Sequence, residues 1–104
     1  MGNYKIIKVL SASINVDNSD DANRSYRISA NVDVDENSIR SITGGIVKAP
    51  DSEAQLADFN DQGHLSSNIY NTGAEVDRTA VFSAISDFCN GVRADRPVLP
   101  GVGE

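Results

Sequence analysis

The chain has 104 residues, with nine Lys and Arg against fifteen Asp and Glu for a net charge of −6. A chain of this length makes one domain that buries roughly 65% of its unfolded surface, so neither metal nor disulfide staples are needed to fold it. The acidic balance and the scattered basic residues argue against a nucleic-acid surface, which needs clustered Lys and Arg to release counterions.

Lys5 and Lys8 interrupt the N-terminal apolar residues, so neither a signal peptide nor a membrane span is expected there and the product is read as cytoplasmic or otherwise intracellular. From Tyr4 to Val16 the residues alternate as a half-buried strand does, with Tyr4, Ile6, Leu10, Ala12, Ile14 and Val16 on one face and Ser11, Ser13 and Asn15 on the other. Ile7 and Val9 add apolar side chains to the opposite face and need a cover, either the C-terminal tail or a second copy of the protein.

Asp17 to Arg24 is a polar loop. It leads to a second strand with Tyr26, Ile28, Ala30, Val32 and Val34 inward and Arg27, Ser29, Asn31, Asp33 and Asp35 outward. Glu36, Asn37 and Ser38 turn the chain into a third strand, Ile39 to Val47, whose Gly44-Gly45 pair predicts a bulge or a close backbone approach. Residues 50–59 admit a short helix, with Asp51 or Ser52 as cap. The following Asp61-Gln62-Gly63, however, has the form of a hairpin turn, which favours strands over 54–60 and 65–70.

Thr72 and Glu75 have the spacing of a capping box, and Asn90-Gly91 supplies a stop. Between them Val81, Phe82, Ala84, Ile85, Phe88 and Cys89 fall on one side of a helix. Residues 92–104 form a tail in which Val98, Leu99 and Val102 suffice for docking on an apolar patch. The expected fold class is α+β: an antiparallel β-meander of about five strands, with one C-terminal amphipathic helix packed on one face. Residues 1–91 make the domain.

No catalytic constellation is evident. His64 is the only histidine and Cys89 the only cysteine, the former in a turn and the latter on the apolar helix face, and together they cannot make a usual zinc set. The carboxylate pairs Asp33/Asp35 and Asp58/Asp61 lack the apolar pocket that raises a catalytic acid's pKa. Asp17, Ser19, Asp21 and Asn23 place oxygens at every second position, as in a calcium loop, but Ala22 and Ile28 stand where such a loop needs Gly and Glu. They are the candidate metal residues, and no cofactor is expected.

Interface candidates are Ile7 and Val9 together with Thr79, Ser83 and Ser86, because small uncharged side chains on the outer helix face permit another surface to approach. The chain reads as a small, acidic, non-enzymatic interaction or structural protein that binds a protein partner or itself. The alternatives are a small-ligand or divalent-ion binding module and, by analogy of size and charge alone, a viral accessory or inhibitor protein acting on a host partner.

Overall fold

A computed structural model describes residues 3, 5, 7, 9–22, 24–36, 38–70 and 77–99. Five strands, β1 (Ser11–Asp17), β2 (Arg27–Asp35), β3 (Ile39–Lys48), β4 (Gln55–Asp61) and β5 (Leu65–Ile69), precede one helix, α1 (Arg78–Ala94). All neighbours are antiparallel and the strands lie in chain order, β1-β2-β3-β4-β5, as short connections favour. The fold is therefore an α+β meander with its helix against one face.

Alternation decides which face is dry. In β2, Ile28, Ala30, Val32 and Val34 are buried, and the register carries that face across Ile42 and Val47 of β3 to Ala57 and Phe59 of β4. From α1, Val81, Ile85 and Cys89 enter the same core at a spacing of one helical turn each, while Ala84, Phe88 and Val92 pack at its margin. The ring of Phe88 meets that of Phe59 edge-on, with centroids 6.2 Å apart and planes at 73°, a preferred aromatic geometry.

The Gly44-Gly45 pair supplies both features expected of it. Between the pairs Ser29↔Ile46 and Asn31↔Thr43, Ala30 alone opposes the two glycines, so β3 carries the extra residue of a bulge. Gly44 takes the left-handed conformation (φ 59°), and its N–H donates to Asn60 Oδ1 at 3.3 Å. Gly45 faces the ring of Phe59 so closely that a Cβ there would lie 2.5 Å from three ring carbons. The β4–β5 hairpin turns through Gly63 (φ 112°), with Asp61 paired to Leu65, so residues 54–60 and 65–70 hold strands and no helix.

Three boundaries differ from expectation. The first strand starts at Ser11, opposite Asp35, where β2 ends; of the earlier positions expected in it, Tyr4 and Ile6 lie outside the described residues. The helix begins at Arg78, where the Asp77 carboxylate accepts from the Ala80 N–H at 3.0 Å. The Thr72/Glu75 capping box lies outside the described residues. At the other end the helix continues through Asn90-Gly91 to Ala94, because the next turn is held by tertiary contacts: Val92 packs on the core, and Arg93 Nη2 lies 2.9 Å from Asp61 Oδ1.

The segment after α1 returns across the sheet end. Arg96 Nη1 donates to the Asp35 carbonyl at 3.0 Å, and Leu99 packs against the core, whereas Val98 is exposed. Val102 lies outside the described residues.

Candidate interaction surface

A helix is about 10 Å across, and five strands at about 4.8 Å span twice that, so one helix covers only part of the sheet. Here α1 lies over β3, β4 and β5. The β1–β2 side of the apolar face is left as an open trough of about 720 Å³, lined by Val16, Tyr26, Ile28, Ala84 and Phe88 together with the charged Asp21, Arg24, Asp87 and Asp95. Val16 lines this trough, and Ala12, Ile14 and Val16, the inward residues of β1, are only half-buried, although their counterparts in β2 are fully enclosed.

Among the described residues β1 is also an edge strand. The Asn18 N–H bonds the Ile28 carbonyl at 3.1 Å, which fixes the parity of the ladder. By the alternation of antiparallel pairing, Ala12, Ile14 and Val16 turn their N–H and C=O groups toward β2, and Ser11, Ser13, Asn15 and Asp17 turn theirs outward. The strand carries no Lys, no Pro and no bulge, the devices that usually blunt an edge. The opposite edge, β5, is shorter, and at its end the Ile69 carbonyl accepts from Arg78 Nη1 at 3.1 Å.

Exposed apolar side chains gather beside β1. Ile7 is 84% exposed and Leu10 61% exposed, while Val9 is half-buried. Leu10 belongs by alternation to the inward face, but it precedes Ser11, where pairing with β2 begins, and among the described residues it is left largely uncovered; this residue was not among the expected contacts, and only the end of β2 reveals it. On α1, Thr79 and Ser83 are exposed and Ser86 is half-buried, with Ser83 at the rim of the trough. Phe82, expected on the covered side, is 47% exposed, because it lies one residue off the Val81-Ile85-Cys89 line.

The opposite face of the sheet is a polar plane whose side chains bond one another. Asn15 Nδ2 donates to Asn31 Oδ1 at 3.1 Å, and the Ser41 hydroxyl donates to Asp33 Oδ2 at 2.9 Å. The Tyr70 hydroxyl donates to Asp58 Oδ2 at 2.5 Å and accepts from Gln55 Nε2 at 2.9 Å. The Asp58 hydrogen bond raises the Tyr70 pKa above its ordinary value, assisted by desolvation and by the carboxylate's charge.

The polar loop after β1 is organised by its own side chains. Asp17 Oδ1 accepts from the Ser19 hydroxyl at 2.6 Å and the Ser19 N–H at 3.0 Å, and these two bonds, with a smaller contribution from the Arg24 charge, hold its carboxyl below the usual range. Arg24 Nη1 in turn donates to the Ser19 carbonyl at 2.8 Å and the Asp21 carbonyl at 3.3 Å, which places a guanidinium beside the candidate metal oxygens. Asn23 lies outside the described residues. Among the described residues, no group of three or more His, Cys, Asp and Glu side chains converges as a metal site would require.

The remaining titratable candidates stand apart. His64 is exposed in the β4–β5 loop, whereas Cys89 is buried under α1 with its thiol pushed up to about 11, chiefly by burial and further by the Asp61 charge. Asp58 faces the polar plane, and Asp61, three residues on, is paired with Arg93 at the core margin. Among the described residues, no helix is long and apolar enough to cross a membrane. Comparison with protein-family models, with curated proteins and with solved structures found no match.

Proposed function

We propose that this chain is a non-enzymatic interaction protein that engages another polypeptide, a partner or a second copy, through the β1 side of its sheet. The observation that supports this most strongly is the occurrence of three incomplete features along one strand. β1 is an unblunted edge, the exposed Leu10 immediately precedes its first residue with Ile7 three residues further upstream, and a partly apolar trough opens beside its last residues, Val16 and Asp17. Each offers a neighbour apolar area or backbone hydrogen-bonding groups, and one apposed polypeptide can engage all of them. Asp17, Asp61 and Cys89, by contrast, are engaged in a turn, an ion pair and the core.

The test is the absolute mass in solution by light scattering behind a sizing column, over a hundredfold concentration range, for the native chain and an Ile7→Asp/Leu10→Asp variant. The reading predicts a species heavier than 11.1 kDa, or a stable complex with a copurifying polypeptide, that the variant loses. A native chain that is monomeric throughout and copurifies with nothing, or a complex indifferent to both substitutions, contradicts it.

A second reading, a small ligand in the trough, is supported by a volume of about 720 Å³, within the range of ligand sites, and by a lining that mixes apolar and charged side chains. Its mark is a rise in melting temperature with a small amphiphilic probe, because a ligand held only by the folded state stabilises that state.

A further inference from the structure

We propose that the occupant of the β1 edge is the β1 edge of a second copy, paired antiparallel about a two-fold axis at Ile14 to give one continuous sheet with five strands from each chain. This rests on the interaction reading above and specifies its partner and register. Because Ser11, Ser13, Asn15 and Asp17 present the outward N–H and C=O groups, two copies can bond only with these residues in register against one another. Centring the pair on Ile14 uses the full strand: Ser13 exchanges bonds with Asn15 of the other copy, and Ser11 with its Asp17.

The side chains fit that register on both faces. On the apolar face Ile14 meets Ile14, and Ala12 meets Val16, cross-strand pairs of the kind that stabilise sheets. On the polar face the only charge of the strand, Asp17, stands opposite Ser11, so no like charges are opposed. The same register carries the exposed Leu10 of each chain toward Asn18 of the other, on the face where Val16 and Tyr26 open the trough. A knob that is exposed in the single chain thereby reaches a depression that is uncovered in it. Two chains of charge −6 repel at long range, so association strengthens as salt screens them.

The experiment pairs a register-specific cross-link with an edge block. In a non-hydrogen-bonded antiparallel pair the Cα atoms lie about 4.5 Å apart, within reach of a disulfide. Ile14→Cys should therefore form a covalent dimer on mild oxidation, mapped by peptide mass to residue 14 in both chains, whereas Ser11→Cys should not, because two copies of that residue lie strands' ends apart. Ser13→Pro removes an N–H that β2 does not use and should convert the dimer to monomer, with far-UV circular dichroism verifying that the sheet is intact. The cross-link does not depend on the proline variant folding. No residue-14 disulfide at concentrations where the native chain is dimeric overturns the proposal while leaving the interaction reading standing through another surface. A folded Ser13→Pro chain that remains dimeric does the same. A native chain that is monomeric alone yet binds a foreign polypeptide through Leu10 also overturns this pairing and keeps the broader reading.

Discussion

Gly45→Ala isolates the closest approach in the core. The added Cβ would lie 2.5 Å from Cδ1, Cε1 and Cζ of Phe59, where ordinary contact begins near 3.4 Å, so ring or strand must yield by about 1 Å. The ring has little room to do so: Phe59 is 1% exposed and its edge contact with Phe88 ties it to α1. Overpacking of this kind costs about 1–3 kcal/mol, and the loss of glycine's freedom in the unfolded chain returns about 0.4–1 kcal/mol. The net destabilisation should be about 1–2 kcal/mol, which lowers Tm by roughly 5–15 °C for a domain of this size. Urea unfolding followed by circular dichroism measures it. Combining the change with Phe59→Leu should cost about 1 kcal/mol less than the sum of the single variants, since the smaller side chain gives the methyl its space. A neutral or stabilising Gly45→Ala, or strict additivity with Phe59→Leu, would refute the packing argument.

Asp77→Ala removes the carboxylate that caps α1 and should lower stability by about 1 kcal/mol in the same urea experiment, with Asp77→Asn losing little of it. Tyr70 should titrate above the ordinary tyrosine value in an ultraviolet titration, and Asp58→Asn should bring it down toward that value. Its folded pKa is raised, so the stabilisation from this hydrogen bond is fully present below about pH 10 and is lost as pH rises through the folded pKa. Cys89, shifted from 9.0 to about 11, should carry a thiolate fraction about a hundredfold below that of an unshifted thiol. Its labelling by iodoacetamide at pH 8 should accordingly be slow in the native protein and become fast in denaturant.

How far the sequence discloses this molecule depends on whether a residue's fate is decided nearby or far away. β2 is legible because Ile28, Ala30, Val32 and Val34 alternate without interruption, and neighbours on both sides honour the pattern. The helix stripe of Val81, Ile85 and Cys89 is legible for the same reason. The Gly44-Gly45 pair announces a close approach, but its partner, Phe59, is set by the β3–β4 register and is invisible in the local sequence. The first strand looks longer than it is, since alternation continues upstream of Ser11 although β2 has already ended. That hidden ending turns Leu10 from an expected inward residue into an exposed one, which adds it to the proposed contact residues beside Ile7, Val9, Thr79, Ser83 and Ser86. At the helix C-terminus, Asn90-Gly91 is a sound local stop that Val92 and the Arg93–Asp61 pair override through contacts with distant elements.

The central claim, that β1 is an occupied edge in the working state of the protein, is tested most directly by amide hydrogen exchange along β1 as protein concentration is raised. Within the single chain the N–H groups of Ala12, Ile14 and Val16 face β2, and those of Ser13 and Asn15 face outward. The account predicts that Ser13 and Asn15 exchange rapidly in dilute solution and become protected together as the concentration rises, while Ile14 is protected throughout. Rapid exchange at Ser13 and Asn15 at every concentration, in a sample whose mass shows it to be associated, would contradict it.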